Sequence, residues 1–528
     1  MPGSPYISYQ SRSSESVENV GVPYEDRPYH SDNIPPDWAD DDASSAIVVS
    51  TDSCLQSKSL PSTGGFINFH RVWLGLAVTL ACYNTAFMAT LPLTAQYLTH
   101  RVAHDWYNFS NFSKEIPCTK EANTSATRTR DEIQKVVSSF SLLINYASSL
   151  PAILTCLPYG TLSDHVGRKK MMFIPLIGGF VRMFVYLLVV KLELSLNYLF
   201  LGSAADGLCG SYPAMSMISA AAVADITMSS GGRALSFAVI EAILIISSAV
   251  ANLSVGYFIM YEGYFYPTVM MSGLALIAFL VAATVFPETN TERAKASANP
   301  LKHLKRIVSF YTFAGSVRRR VLYRIGLFMF FLNIVVSIGR SPVETLYQLN
   351  SPFCWNSVKI GIFGAIQSTV QITCSVMALR ILKLRLQLES IGILALLCAI
   401  AGFVIEGFAM SDWMLYAVFR SMTYDLYVLI PGALFASLSV VDAVCGILSF
   451  TTYSSVYLST VQWYRGTVFF VMAGICAVNI LLFLAFKKVN TKFDYEEITC
   501  TVEPPLHSAR VGKGGLHPQS NRAVNETR

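Results

Sequence analysis

Charge is what this 528-residue chain lacks. Asp, Glu, Lys and Arg make up 14% of it, against about 25% in soluble globular domains. Hydrophobic residues make up 53%, and the mean hydropathy is +0.45. That balance excludes an ordinary soluble enzyme or nucleic-acid-binding domain and describes a polytopic membrane protein. No Gly-x-x-x-x-Gly-Lys-Ser/Thr loop, His-Glu-x-x-His or Cys-x-x-Cys pair occurs. ATP-driven transport and metal hydrolysis therefore lack their machinery, and neither a cofactor nor a metal is expected. No nucleophile–base set marks an enzyme either. The first 70 residues hold no early apolar run behind a basic start, so no cleaved signal peptide is expected. The net charge of +5 does not point to nucleic acid, because the basic residues cluster in short segments beside apolar runs.

What the chain has in quantity is long apolar runs. Spans are expected at about 72–97, 137–159, 171–190, 197–224, 234–256 and 267–286, then at about 321–345, 359–379, 389–410, 413–437, 443–463 and 467–486. Runs of this length can cross a hydrocarbon layer of roughly 30 Å as helices rising 1.5 Å per residue. The expected fold is an all-α membrane protein of twelve transmembrane helices in two six-helix bundles, 71–286 and 321–486. A basic cytosolic linker (287–320) joins the bundles. Residues 1–70, rich in Ser, Pro, Tyr and Asp, read as a disordered cytosolic tail, and 487–528 as a polar cytosolic one. The loop after span one carries the acceptors Asn108-Phe-Ser, Asn111-Phe-Ser and Asn123-Thr-Ser, which places it outside the cytosol. Asn252-Leu-Ser lies within a span and reads as a chance match. Of 11 cysteines, Cys118 and Cys354 are the two expected in non-cytosolic loops, so a disulfide between them is expected.

Between spans two and three stands Gly160–Lys170, GTLSDHVGRKK. Its glycines let two helix ends approach, and Asp164 and Arg168 can pair with each other or with a neighbouring helix end. A basic stop signal alone would explain the lysines but not Gly160, Asp164 and Gly167 together. The pattern resembles the loop between the second and third helices of the major facilitator superfamily, which implies a gating role. Asp225 and Arg233, bracketing the loop between spans four and five, read as further gating or topological charges.

The loop after span seven, TLYQLNSPFCWNSVKIG (345–361), is similar to that of the proton-coupled folate transporter family, solute carrier family forty-six. Asp206 in span four and VADIT…R…VIEA, with Glu241 in span five, agree. The resemblance covers roughly 71–486. It implies secondary active, proton-coupled import of an organic anion or similar small solute by alternating access. The chain departs from the folate carrier, which has a histidine at the place of Ser337 and an arginine in span ten near Pro431. The family thus implies the reaction and leaves the cargo open.

A charge inside a bilayer costs at least about 2.5–3.5 kcal/mol and needs a partner or a task. Asp206, followed by Gly-Leu-Cys-Gly-Ser-Tyr-Pro, is expected to sit where the helix loosens and to take up the coupling proton, or else to pair with Arg182. Glu241 is the second proton-coupling candidate, or a partner of Arg233. Arg182, Arg340 and Arg420 are candidate ligands for an anionic solute. Arg340 can instead pair with Glu344, one turn on. Asn84 is a candidate hydrogen-bonding ligand, with helix packing as its other use. Trp73, Trp355, Trp413 and Trp463 read as an interfacial belt. The expected partners are a small solute, protons and the bilayer. The expected location is the plasma membrane, with an endosomal or lysosomal membrane as the alternative suggested by Tyr495-Glu-Glu-Ile498. An uncoupled carrier, and a receptor or scaffold acting through its N-terminal tail, are the competing readings.

Overall fold

The computed structural model describes residues 64–109, 125–227, 230–289, 317–382, 388–417, 435–461 and 463–502. These form helices α1 (Gly64–Tyr107), α2 (Ser125–Val166), α3 (Arg168–Lys191), α4 (Tyr198–Leu208), α5 (Ser211–Ile226), α6 (Ser230–Glu262) and α7 (Phe265–Thr284). The second half continues with α8 (Val317–Leu349), α9 (Ser357–Leu382), α10 (Leu388–Gly407), α11 (Asp412–Ala417), α12 (Phe435–Thr460) and α13 (Thr467–Val502). Among the described residues, eight helical segments are long and apolar enough to cross a membrane. Helix is the element that satisfies every backbone polar group within one segment, which lipid demands. Pro92, Pro151, Pro158 and Pro175 are tolerated inside these helices, where neighbouring helices pack around the break.

The packing repeats. In the first half α1 lies on α6 and α7, and α3 on α7. In the second half α8 lies on α12 and α13, and α10 on α13. The halves meet chiefly through two equivalent contacts, α2 against α12 and α6 against α9, with smaller ones of α5 against α12 and α1 against α8. This is the two-bundle architecture expected, with helices occupying corresponding positions in each half. The α6–α9 crossing is close at the level of the backbone. A Cβ on Gly361 would stand 2.5 Å from the Asn252 carbonyl oxygen, and one on Gly256 would stand 2.6 Å from that of Ser357. Only glycine fits there.

Several boundaries differ from the sequence expectation. The first helix continues to Tyr107, because Leu98, Val102 and Ala103 are fully buried against Ile133 and Val137 of α2. Helix α2 in turn begins at Ser125, so Asp131 and Gln134 are helical residues and not part of a polar loop. The last helix runs through Lys487 to Val502, into the segment read as a disordered tail. Span four is two helices, turning at Cys209 and Gly210, where Gly210 has φ 88°. Trp355 is no belt residue. It is 4% exposed, packs against Phe353 and Phe363, and donates its indole N–H to Asp412 at 2.7 Å. Trp413 and Trp463 are exposed, as a belt requires. Residues 64–70, read as the end of a disordered tail, already belong to α1; the rest of that tail, most of the linker and most of span ten lie outside the described residues.

Candidate functional site

The junction between α2 and α3 folds as the sequence motif requires. Gly167 sits at φ 106°, which L side chains rarely adopt, and turns the chain directly from one helix into the next. The exposed start of α3 then needs an acceptor. Glu288, just past α7, supplies it: its carboxylate receives the backbone N–H of Arg168 at 2.7 Å and of Lys169 at 3.3 Å. The Arg168 guanidinium donates to Asp225 at the end of α5, 2.9 Å away, and to Ser163. Arg168 and Asp225 are thus one ion pair, and Glu288 is a member of the set that the motif itself did not reveal. The Asp164 and Arg233 side chains, and that of Gly160's neighbour Thr161, lie outside the described residues. Gly160 itself falls on the α2 backbone.

Between the halves lies a cavity of about 430 Å³. One wall is a polar stripe on α2: Ser138, Ser141, Asn145 and Ser148, spaced three and four apart so that they share a face. Ser337 and Ser341 of α8 face it in the same way. Phe87, Tyr186, Tyr212 and Phe450 bring aromatic rings to the wall. Among the described residues on the wall, the charged ones are Arg182 from the first half and Asp442 from the second.

Arg182 is held from behind. Its Nη1 donates to Asp206 Oδ2 at 3.1 Å, and Ser211 Oγ donates to the same oxygen at 2.7 Å. Asp206 is 0% exposed, so the cavity meets this carboxylate only through Arg182 and Ser211. The break at Cys209–Gly210 brings Ser211 back onto Asp206. The guanidinium also lies over the Phe87 ring, 5.7 Å from its centroid, and Phe87 stacks on Tyr212 at 4.8 Å. This buried pair is the one the sequence named as an alternative to a lone titrating carboxylate.

One end of the cavity is shut by a polar network between the halves. Arg465, in the turn before α13, donates to both oxygens of Asp131 on α2, at 3.0 and 3.1 Å. Asn350 at the end of α8 donates to Asp131 at 2.9 Å and to Gln134 at 3.0 Å. Tyr457 of α12 donates to the Gln134 carbonyl at 2.6 Å, and the Gln134 amide donates to the Leu346 carbonyl at 3.0 Å. Leu346 also lines the cavity, and Ser138 lies one turn along α2 from Gln134, so the network caps the cavity directly. No motif announced these residues. The signal available was Asp131 and Gln134, three apart on one face of a helix the sequence had been read as a loop.

The other candidates fall elsewhere. Arg340 faces away from the cavity, into the second half, where Glu406 on α10 accepts from it at 2.9 Å and Glu344 pairs with it at 3.4 Å. It is an ion-pair residue and not a wall residue. Asn84 is 1% exposed and donates to the Leu244 carbonyl at 2.8 Å, tying α1 to α6. Its amide is engaged in packing. Glu241 is half-buried on α6. Asn252 lines the cavity from inside α6, which agrees with a chance sequon there. Asn108 is exposed just beyond α1. Cys354 is disulfide-bonded. Asn111, Cys118, Asn123 and Arg420 lie outside the described residues. No group of His, Cys, Asp and Glu among the described residues is arranged to hold a metal.

Known proteins share this architecture. The human organic anion transporter MFSD10 (TETRAN) superimposes with a TM-score of 0.58 at 18% identity, covering 79% of this chain and 99% of that one. The xylose transporter XylE of E. coli, in a partially occluded inward-open conformation, gives 0.53 at 15%, covering 80% and 98%. In sequence, the chain is 26% identical over 430 residues to the proton-coupled folate transporter of Rattus norvegicus, covering 78% of this chain and 92% of the relative. It is 25% identical over 445 residues to the lysosomal proton-coupled steroid conjugate and bile acid symporter SLC46A3 of Mus musculus, covering 80% and 96%. The family profile of the Major Facilitator Superfamily matches residues 72–457. The chain therefore belongs to the Major Facilitator Superfamily, and is a multi-pass membrane transporter of the solute carrier family forty-six type.

Proposed function

We propose that this transporter imports an organic anion or a similar small solute together with protons, and that Asp206 carries the coupling proton. The observation behind this is the Arg182–Asp206–Ser211 cluster at the cavity wall. With Asp206 ionised, the guanidinium is engaged by its own carboxylate. With Asp206 protonated, the Coulombic hold is lost and the guanidinium fork turns to an anionic group in the cavity. Proton and anion then enter one state together and leave it together, which is symport. The similar proteins named as proton-coupled transporters of folate, and of steroid conjugates and bile acids, support the reaction class. The mixed apolar and hydroxyl-lined cavity suits a solute with a rigid apolar body and an acidic end.

The Asn350 end of the cavity is the non-cytosolic side in this reading, because Cys354 lies beside Asn350 and the sequon residue Asn108 follows the end of α1. The Gly167 end is cytosolic, with Gly160, Asp164, Gly167, Arg168, Asp225 and Arg233 as its gating set. Glu241 stands as a second proton site, and a Cys118–Cys354 pairing as the clamp on the outer loops. The plasma membrane is the proposed location, with the lysosome as the other address among the relatives.

The test is uptake of a labelled reduced folate and a labelled bile acid at acid and neutral external pH, with surface expression measured. Acid-stimulated uptake that loses its pH dependence in Asp206→Asn is the expected result. Uptake indifferent to a collapsed pH gradient would instead mark an uncoupled carrier.

A further inference from the structure

The cavity wall carries one charge from each half, and the transport mechanism uses one of them. Arg182 stands on α3 of the first half, Asp442 on α12 of the second. Their levels along the cavity follow from the helices that carry them. Helix α12 runs antiparallel to α2: Tyr457 meets Gln134 at 2.6 Å, Thr451 meets Tyr146 at 2.7 Å, and a Cβ on Gly446 would stand 3.8 Å from the Ser149 hydroxyl. Asp442 is one turn before Gly446, about 6 Å further from the Asn350 end at 1.5 Å per residue. Its charge accordingly acts on Cys156 of α2. Arg182 is tied to the level of Ser148 instead. It holds Asp206 at 3.1 Å, and the next residue, Gly207, is so close to α2 that a Cβ there would stand 2.1 Å from the Ser148 carbonyl oxygen. The two charges therefore face the cavity from different halves, at levels about one turn apart.

Both can take a further bond. Arg182 is 9% exposed, and its Nε has no hydrogen-bond partner among the described residues. A carboxylate accepts from several donors at once, so Asp442 can keep its protein contacts and still receive a cation from the cavity.

We propose that the transported solute is a zwitterion, its acid held by Arg182 and a cationic nitrogen held by Asp442. This rests on the reading of Arg182 as the anion ligand and narrows the class of cargo. The offset between the two charges calls for an acid and a cation several bonds apart, which an α-amino acid does not supply. Each end is held by a different half, so a bound zwitterion bridges the two bundles, whereas a plain anion engages the first half only.

The test uses full-length protein in lipid nanodiscs at neutral pH and three probes built on one rigid ring: para-(aminomethyl)benzoate, para-methylbenzoate and para-methylbenzylamine. Thermal stabilisation is followed against probe concentration. In the wild type the zwitterion is expected to half-saturate at a concentration roughly tenfold below that of the anion, and likewise below that of the amine, the worth of one added hydrogen bond between charged groups. In Asp442→Asn the zwitterion and the anion are expected to half-saturate together, and in Asp442→Glu the advantage of the zwitterion is expected to persist. An advantage that survives in Asp442→Asn overturns the proposal. So does a wild-type response to the zwitterion no stronger than that to the anion, a comparison that needs no variant to fold and leaves Arg182 standing as an anion ligand. Stabilisation by none of the three probes overturns both readings together.

Discussion

Asp131 of the first half and Arg465 of the second are joined through both carboxylate oxygens, at 3.0 and 3.1 Å; Asp131 also accepts from Asn350, and Arg465 also donates to the Ser351 carbonyl just past α8. Removing one partner of a buried pair leaves the other charge stranded, at a cost of about 3 kcal/mol. That cost falls on the conformation closed at this end. Asp131→Asn or Arg465→Gln is expected to open it, and a thiol placed at Ser138 on the cavity wall should react faster with an impermeant reagent from that side. Labelling as slow as in the parent would mean that the network holds nothing shut.

Asp206→Asn keeps the hydrogen-bonding shape beside Arg182 and removes the charge. Transport by this variant is expected to lose its pH dependence, with the guanidinium permanently available to an anion, whereas Asp206→Glu keeps a pH profile. An acid stimulation of normal size in Asp206→Asn would sink the coupling role.

Gly361→Ala forces a Cβ to within 2.5 Å of the Asn252 carbonyl oxygen. Overpacking of this kind costs about 1–3 kcal/mol, and the melting temperature of the purified protein should fall by several degrees. Gly326→Ala on α8 is the control, because a Cβ there meets nothing within 4 Å. Equal melting temperatures for the two variants would show that the crossing relaxes freely.

Glu288→Gln removes the anion that caps the start of α3 through the N–H groups of Arg168 and Lys169. A carboxylate at a helix N-terminus is worth up to about 2 kcal/mol in a partly buried geometry. A loss of about 1 kcal/mol in thermal stability is expected, with Arg168→Gln giving a loss of its own through Asp225. Unchanged stability in both variants would count against the junction as a structural lock.

The architecture was legible because lipid leaves so few solutions. An apolar run of twenty residues has to be a helix, and the polar residues within it have to be placed. That is why Asp206, Arg182, Arg340 and Glu344 could be picked out, and why two of the ion pairs among them were anticipated. What could not be read is what depends on contacts remote in sequence. Asp131 and Gln134 look like loop residues until Leu98 and Val102 are seen to extend the helix they pack against. Asn84 looks like a ligand until Leu244 takes its amide. Glu406 carries no local signal of its role, since nothing near it in the sequence connects it to Arg340, 66 residues away. Trp355 was misjudged because belt and core tryptophans have the same composition around them, and only the Asp412 contact tells them apart.

The glycine crossing of α6 and α9 has a mechanical consequence. Backbone rests on backbone at Gly256 and Gly361, with no side chain that can swing aside to make room. Two bundles in such contact cannot slide through one another there. They can only roll about the point of contact, which makes the crossing a fulcrum and each bundle a lever arm. A displacement too small to disturb the fulcrum is then magnified toward the ends of the helices, where Asp131 meets Arg465 and where Glu288 holds α3.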